Sequence, residues 1–238
     1  TTLIENTEPA KVALYHLRTQ VLNSRNKPIA NAKVGVKRNG EIQPVMFTDA
    51  KGYLEIIDLN PADQISFNAS KEKFLTKRSE FLMDGRDIPK QLLKKELTDT
   101  TFDHKIILGQ AEVGEEIGAL FDVNPIYYDL DKSTIRPDAA VELDKIVQVL
   151  KDNTDISIEL GSHTDARASA SYNMKLSQRR AESAVKYIIE RGIEAARIKA
   201  KGYGETQLIN GCSDGVDCSE EAHQENRRTE FKITDLND

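Results

Sequence analysis

The spacing of apolar residues changes period partway along this 238-residue chain, and that change constrains the fold more than any other feature. From residue 15 to 108 the apolar positions alternate. Leu17, Thr19 and Val21 share one face of a first strand, and Ala32, Val34 and Val36 share one face of a second. Val45–Thr48 is short and apolar, Tyr53–Leu59 alternates and stops before Pro61, and Ile65, Phe67 and Ala69 form a further period-2 run. The runs are separated by Asn23-Ser24-Arg25-Asn26-Lys27-Pro28, Arg38-Asn39-Gly40 and Thr48-Asp49-Ala50-Lys51-Gly52, all turn chemistry. Short strands at roughly ten-residue spacing predict a β-sandwich. Asp84–Asp87 reads as a loop, Gln91–Leu97 mixes apolar and basic residues, Lys105–Leu108 reads as the last strand, and Gly109–Gly118 as a linker.

Beyond it, strands alternate with helices. Ile126–Asp129 reads as a strand. Pro137, tolerated in a first helical turn, precedes Leu143, Ile146, Val147 and Leu150 at i, i+3, i+4, i+7, which predicts a helix over 137–151. Ile156, Ile158 and Leu160 alternate. Ala181, Ala184, Val185 and Ile188 form a second helical stripe that Gly192 ends, with Arg180 opening its amphipathic run. Arg197–Ala200 and Thr229, Phe231, Ile233 supply two further strands. The expected fold is therefore two domains: an all-β sandwich over 1–110, and over 111–238 an α/β sandwich of βαβαβ type, with a mixed sheet and its helices on one face.

Charge divides at the same place. Residues 1–110 hold 17 Lys/Arg against 14 Asp/Glu, and residues 111–238 hold 16 against 25. A domain with net charge −9 repels phosphate backbones, which argues against nucleic acid as its partner. No run of about 18 apolar residues is present, so no helix is expected to span a bilayer. The chain starts at Thr1 rather than Met, which predicts a processed or truncated form.

Chemistry concentrates between residues 162 and 181. Asp165 follows the strand that ends near Leu160, and Arg180 lies fifteen positions on, in the next helix. A carboxylate and a guanidinium at the two ends of a strand–loop–helix unit can grip a zwitterion, ammonium to the acid and carboxylate to the planar fork. Each residue also has a plain reading, Asp165 as a turn cap and Arg180 as a solvated helix charge. The residues alone reach no further than an anchor for a small charged ligand. Ser162, His163 and Asp165 suggest a hydrolase only superficially, because strand neighbours point to opposite faces and no Gly-x-Ser-x-Gly elbow is present. His163 reads as an orienting residue at the strand–loop junction. Cys212 and Cys218 have five residues between them and His223 nearby; that spacing lies outside the usual zinc pattern, and a disulfide in an exported protein is the expectation. Tyr127 and Tyr128 read as core and pocket wall.

Two resemblances add to this. Lys27-Pro28-Ile29-Ala30-Asn31-Ala32-Lys33-Val34 followed by Thr48-Asp49-Ala50-Lys51-Gly52-Tyr53-Leu54 resembles the carboxypeptidase regulatory-like (transthyretin-like) domain, which implies a prealbumin-like sandwich with a structural or binding role. Residues 126–233 resemble the OmpA-like peptidoglycan-binding domain, the class that includes the C-terminal part of OmpA, Pal and MotB. Five motifs carry it: Tyr128-Asp129-Leu130-Asp131-Lys132-Ser133-Thr134-Ile135, Gly161-Ser162-His163-Thr164-Asp165, Tyr172-Asn173-Met174-Lys175-Leu176-Ser177-Gln178-Arg179-Arg180-Ala181, Lys201-Gly202-Tyr203-Gly204-Glu205 and Asn226-Arg227-Arg228. The cysteine-containing insertion ahead of the last motif is similar to that of OmpA-type proteins of the Bacteroidota.

The second resemblance implies a ligand, the diaminopimelate of the peptidoglycan stem peptide. Asp165 would take its ammonium and Arg180 its carboxylate, Asn173 and Thr164 would assist, the backbone near Asp131 would line the pocket, and Arg227 would flank it. It implies no enzyme activity, no cofactor and no metal. The implied role is a non-covalent wall anchor in the periplasm, associated with the outer membrane as part of a lipoprotein, with envelope proteins such as secretion-system components as partners. The rival is an envelope scaffold with a vestigial pocket, recruited through the β-sandwich.

Overall fold

The computed structural model of the protein describes residues 15–60, 62–83 and 100–236. The expected loop at Asp84–Asp87 and the mixed segment Gln91–Leu97 lie outside these residues. The chain divides into two compact units, Thr1–Gln110 and Ala111–Asp238.

In the first unit the strands are β1 (Tyr15–Asn23), β2 (Lys33–Arg38), β3 (Glu41–Ile42), β4 (Met46–Phe47), β5 (Tyr53–Leu59), β6 (Gln64–Lys71), β7 (Phe74–Leu82) and β8 (Thr100–Leu108). One sheet has the order β5-β1-β8, with β1 antiparallel to β5 and parallel to β8. The other runs β3-β2-β6-β7, with β4 also on β2. The alternating faces meet in one core, Leu17 and Val21 with Ile106 and Leu108 from the first sheet, Val34, Val36, Phe67 and Phe81 from the second. Thr48 and Asp49 build the corner expected of them. The Thr48 hydroxyl donates to Ile29 O at 2.7 Å and accepts from Ala32 N at 2.8 Å, and Asp49 Oδ1 accepts from Lys51 N and Tyr53 N, each at 2.8 Å. Gly52 closes the corner at φ 77°, where an added Cβ would stand 2.6 Å from Val21 O. Strands β3 and β7 were not expected. In β7 only Leu75 and Phe81 are buried, and the charged middle hides the alternation.

The second unit contains α1 (Ile117–Phe121), β9 (Ile126–Tyr127), α2 (Pro137–Asp152), β10 (Ile156–His163), α3 (Ala170–Ile189), a 3-10 turn (Ala195–Arg197), β11 (Ile198–Gly204), α4 (Glu220–Asn226) and β12 (Arg228–Leu236). The mixed sheet is ordered β11-β10-β12-β9, with β10 parallel to β11 and antiparallel to β12. The core is formed by Leu143, Ile146 and Leu150 of α2, Ala181, Ala184 and Ile188 of α3, and Ile156, Ile158, Leu160, Phe231 and Ile233 of the sheet. No helix among the described residues is long and apolar enough to cross a membrane.

Three expectations need correction. The segment 109–118 is not a free linker: Gly114 N donates to Ile233 O at 2.8 Å, Ile233 N to Glu115 O at 2.9 Å, and α1 starts at Ile117. The edge of β12 offered unpaired backbone groups, and the segment satisfies them. The strand at 126 ends at Tyr127, because beyond it the backbone turns through Asp131, which has φ 58°. Helix α3 begins ten residues before Arg180, capped by the Ser169 hydroxyl accepting from Tyr172 N at 3.4 Å. Its first half buries the polar Asn173, Ser177 and Arg180, so an apolar stripe could not reveal it.

Candidate ligand-binding site

Four of the five motifs, all but the one over 201–205, converge on one cleft of about 300 Å³, bounded by the loop after β9, the loop after β10, the first turns of α3 and the C-terminal end of α4. Asp131, Thr164, Asp165, Asn173, Arg180 and Arg227 all line it.

Arg180 lies at its base. The residue is 0% exposed, the largest side chain buried to that degree. Nε donates to Lys132 O at 2.8 Å, Nη1 to His163 O at 3.3 Å and Nη2 to Asp129 O at 3.1 Å. The guanidinium stands 4.9 Å from the centre of the buried Tyr128 ring. Among the described residues no carboxylate pairs with it. Burial pushes its pKa down to about 10, since neutral carbonyls and a ring face only partly replace water around a cation. Three of its five N–H groups are used, and one remains on each terminal nitrogen. The fork expected for a ligand carboxylate is thus also a brace that ties the 129–132 loop and the end of β10 to α3.

Asp165 is 5% exposed. Its Oδ2 accepts from Arg227 Nη1 and from Arg167 Nη2, each at 2.8 Å, while Oδ1 accepts only from the backbone N–H of Arg167 at 3.3 Å. Burial alone would raise its pKa; the hydrogen bonds from Arg167 and Arg227 outweigh that and hold the carboxyl below its usual range. Glu220, in the first turn of α4, takes the other ends of both arginines, Arg167 Nη1 at 2.7 Å and Arg227 Nη2 at 2.7 Å. Arg227 also donates to Gln224 Oε1.

The remaining motif residues shape this arrangement. Asn173 Nδ2 donates to Asp165 O at 3.1 Å, to Ala168 O at 3.2 Å and to Glu205 Oε2, which clamps the Asp165 loop onto α3. Gly202 permits β11 to touch that helix, for a Cβ there would lie 2.4 Å from Gln178 N. The Tyr172 hydroxyl donates to Asp131 Oδ1 across the mouth of the cleft. The Thr164 hydroxyl is buried in the cleft without any hydrogen-bond partner, an open polar position of the kind a ligand fills. The hydrolase constellation comes apart: Ser162 Oγ bonds Thr229 Oγ1, His163 stacks on Tyr203 at 5.1 Å and faces Glu230 at 3.6 Å, and Asp165 is held by arginines. His163 therefore orients through β11 and β12.

Cys212 and Cys218 form a disulfide, with Cα atoms 5.9 Å apart. Among the described residues no cluster of His, Cys, Asp and Glu could hold a metal ion. Three participants lacked an assigned role in the sequence reading. Tyr172 sits within a quoted motif, and Arg167 stands two residues past Asp165. Glu220 gave no signal, because only the docking of α4 brings it to the cleft.

A four-stranded mixed sheet is thus backed by α2 and α3, with an aspartate and an arginine at the loop and helix beyond β10. Residues 127–222 match the model of the OmpA family. Outer membrane protein A of Escherichia fergusonii is 36% identical over 88 residues, which are 36% of this chain and 36% of that protein. The Photosystem I P700 chlorophyll a apoprotein A2 of Gloeobacter violaceus is 39% identical over 110 residues, 45% of this chain but only 12% of that protein. The chain thus spans about a third or less of these relatives. Among solved structures, the peptidoglycan-associated lipoprotein from Burkholderia pseudomallei aligns with a TM-score of 0.42 at 24% identity, over 46% of this chain and 89% of that one.

Proposed function

We propose that residues 111–238 bind peptidoglycan without covalent chemistry, through the diaminopimelate of its stem peptide, and that the chain tethers an envelope assembly to the cell wall. One observation carries this reading: among the described residues the fully buried guanidinium of Arg180 lines the cleft without pairing to a carboxylate, beside the buried carboxylate of Asp165. A ligand carboxylate would complete Arg180 with the two unused N–H groups, a ligand ammonium would meet the Asp165 carboxylate, and a third polar group would satisfy Thr164 Oγ1. The side-chain end of diaminopimelate supplies an ammonium and a carboxylate on one carbon. The OmpA-family match over 127–222 supports the same reading, as does a relative named for the outer membrane. The protein then acts in the periplasm at the outer membrane. The sandwich over residues 1–110, of carboxypeptidase regulatory-like type, is a spacer or docking module for envelope partners such as secretion-system components.

Sedimentation with purified diaminopimelate-type sacculi tests the proposal. Wild type should pellet, free diaminopimelate should release it, and Asp165→Asn should weaken retention at least tenfold through loss of a charge-assisted contact of roughly 1.5–3 kcal/mol. A lysine-type stem peptide lacks the carboxylate and should compete roughly ten- to a hundredfold less well. Equal competition by the two peptide types would refute the site.

A further inference from the structure

The proposed ligand ammonium needs Asp165, yet that carboxylate is covered. Its side chain is 7% exposed, and two guanidiniums meet on the one oxygen Oδ2. The two are unequal. Arg227 lies beneath, its side chain 4% exposed, and is held as well by Glu220 and Gln224. Arg167 lies outside, its side chain 37% exposed, and lines the cleft. Its Nη2 is on Asp165 at 2.8 Å while its Nη1 is on Glu220 at 2.7 Å, and Nη2 also lies 3.5 Å from Glu220 Oε1. Arg167 therefore has a second carboxylate in hand before it releases the first, and that carboxylate is 58% exposed.

We propose that Arg167 is a gate over Asp165: the ligand's ammonium displaces it, and Glu220 receives it. The inference rests on the reading that the cleft takes a zwitterion. The exchange puts one cation in the place of another, so the charge around Asp165 is unchanged and Arg227 keeps its buried partner throughout. Arg167 opposes binding by an amount set by its contact with Asp165, and Glu220 favours binding by stabilising the open position.

Calorimetric titration of the full chain with a soluble stem tripeptide ending in diaminopimelate tests the gate. Arg167→Ala should bind this peptide roughly fivefold more tightly than wild type, the scale of a partly exposed ion pair. The gain should vanish for the same peptide acetylated on its side-chain amine, which has no cation to place on Asp165; a change in general structure would alter both titrations alike. Glu220→Gln should weaken binding more in the wild-type background than in the Arg167→Ala background, where its remaining cleft partner is Arg227. Equal or weaker binding by Arg167→Ala, or a gain that survives acetylation, overturns the gate while leaving wall binding in place. If neither wild type nor Arg167→Ala binds the free-amine peptide, the wall-binding reading falls, and the gate with it. If Arg167→Ala alone binds, both stand.

Discussion

Replacing Arg180 should damage the fold as well as the site, and the structure sets the scale. Truncation to Ala strands three carbonyls, of Asp129, Lys132 and His163, at the junction of three segments. Each costs about 1–3 kcal/mol when left unsatisfied, and the lost contact with the Tyr128 face adds about 1 kcal/mol. Against this, the buried cation is itself unfavourable: a pKa of about 10 against 12.5 corresponds to about 3 kcal/mol recovered on its removal. At about 2 kcal/mol for each carbonyl, the balance is a destabilisation of about 4 kcal/mol. Arg180→Lys should fare little better, because one ammonium on an unbranched stem cannot reach three carbonyls that diverge around a planar fork. Urea unfolding of the full chain, followed by far-UV circular dichroism and by tyrosine fluorescence in a protein with no tryptophan, measures both. The transition of the second unit should move to lower urea in each variant. Transitions within about 0.5 kcal/mol of wild type would refute the brace and leave Arg180 a ligand residue alone. Comparisons of wall binding at this position are meaningful only where the variant is folded.

Three further outcomes are expected. Glu230 has its pKa lowered from 4.5 to about 2, first by the His163 ring 3.6 Å away and then by the hydrogen bond from Arg228, against the effect of burial. The unfolded chain takes up that proton first, so the contribution is complete above about pH 4.5 and is lost as the pH falls towards 2; Glu230→Gln should flatten the fall in stability across that window, and an unchanged acid-unfolding curve would count against it. Denaturing thiol titration of the protein recovered from an oxidising compartment should find no free Cys212 or Cys218, and replacing both with Ala should cost about 2 kcal/mol for so short a loop; two reactive thiols would overturn the pairing. Fragment 111–238 should fold alone and keep all wall binding while fragment 1–110 keeps none; a requirement for both would mean that the cleft is incomplete in the second unit.

Helix α2 could be read in advance because its cues are local: Pro137 starts it, and Leu143, Ile146 and Leu150 recur with the period of its buried face. Strands β5 and β12 were equally open to period-2 reading. Helix α4 was not, since its seven residues are polar and only His223 and Asn226 are buried, against the loop carrying the disulfide. The cleft divides the same way. Asp165 and Arg180 stand out as residue types at a suggestive spacing, and the motif resemblance added Asn173, Thr164, Asp131 and Arg227. That Arg180 would be wholly buried, or that Arg167 and Arg227 would share one oxygen of Asp165, depends on partners up to 62 positions away. No local pattern encodes such partners.

Strand β12 comes last in the chain but lies inside the sheet, between β10 and β9. Strand β9 finds its only ladder on β12, at Arg228 and Thr229, and Arg227 immediately precedes that pairing. A chain emerging from its N-terminus onward can form α2, α3 and the parallel pair β10–β11, yet the cleft stays open on one side until Arg227 and β12 arrive. Completion of the sheet and acquisition of the Asp165 partner are then a single event. A chain clipped before Arg227 would therefore lose the buried partner of Asp165 and the ladder of β9 together.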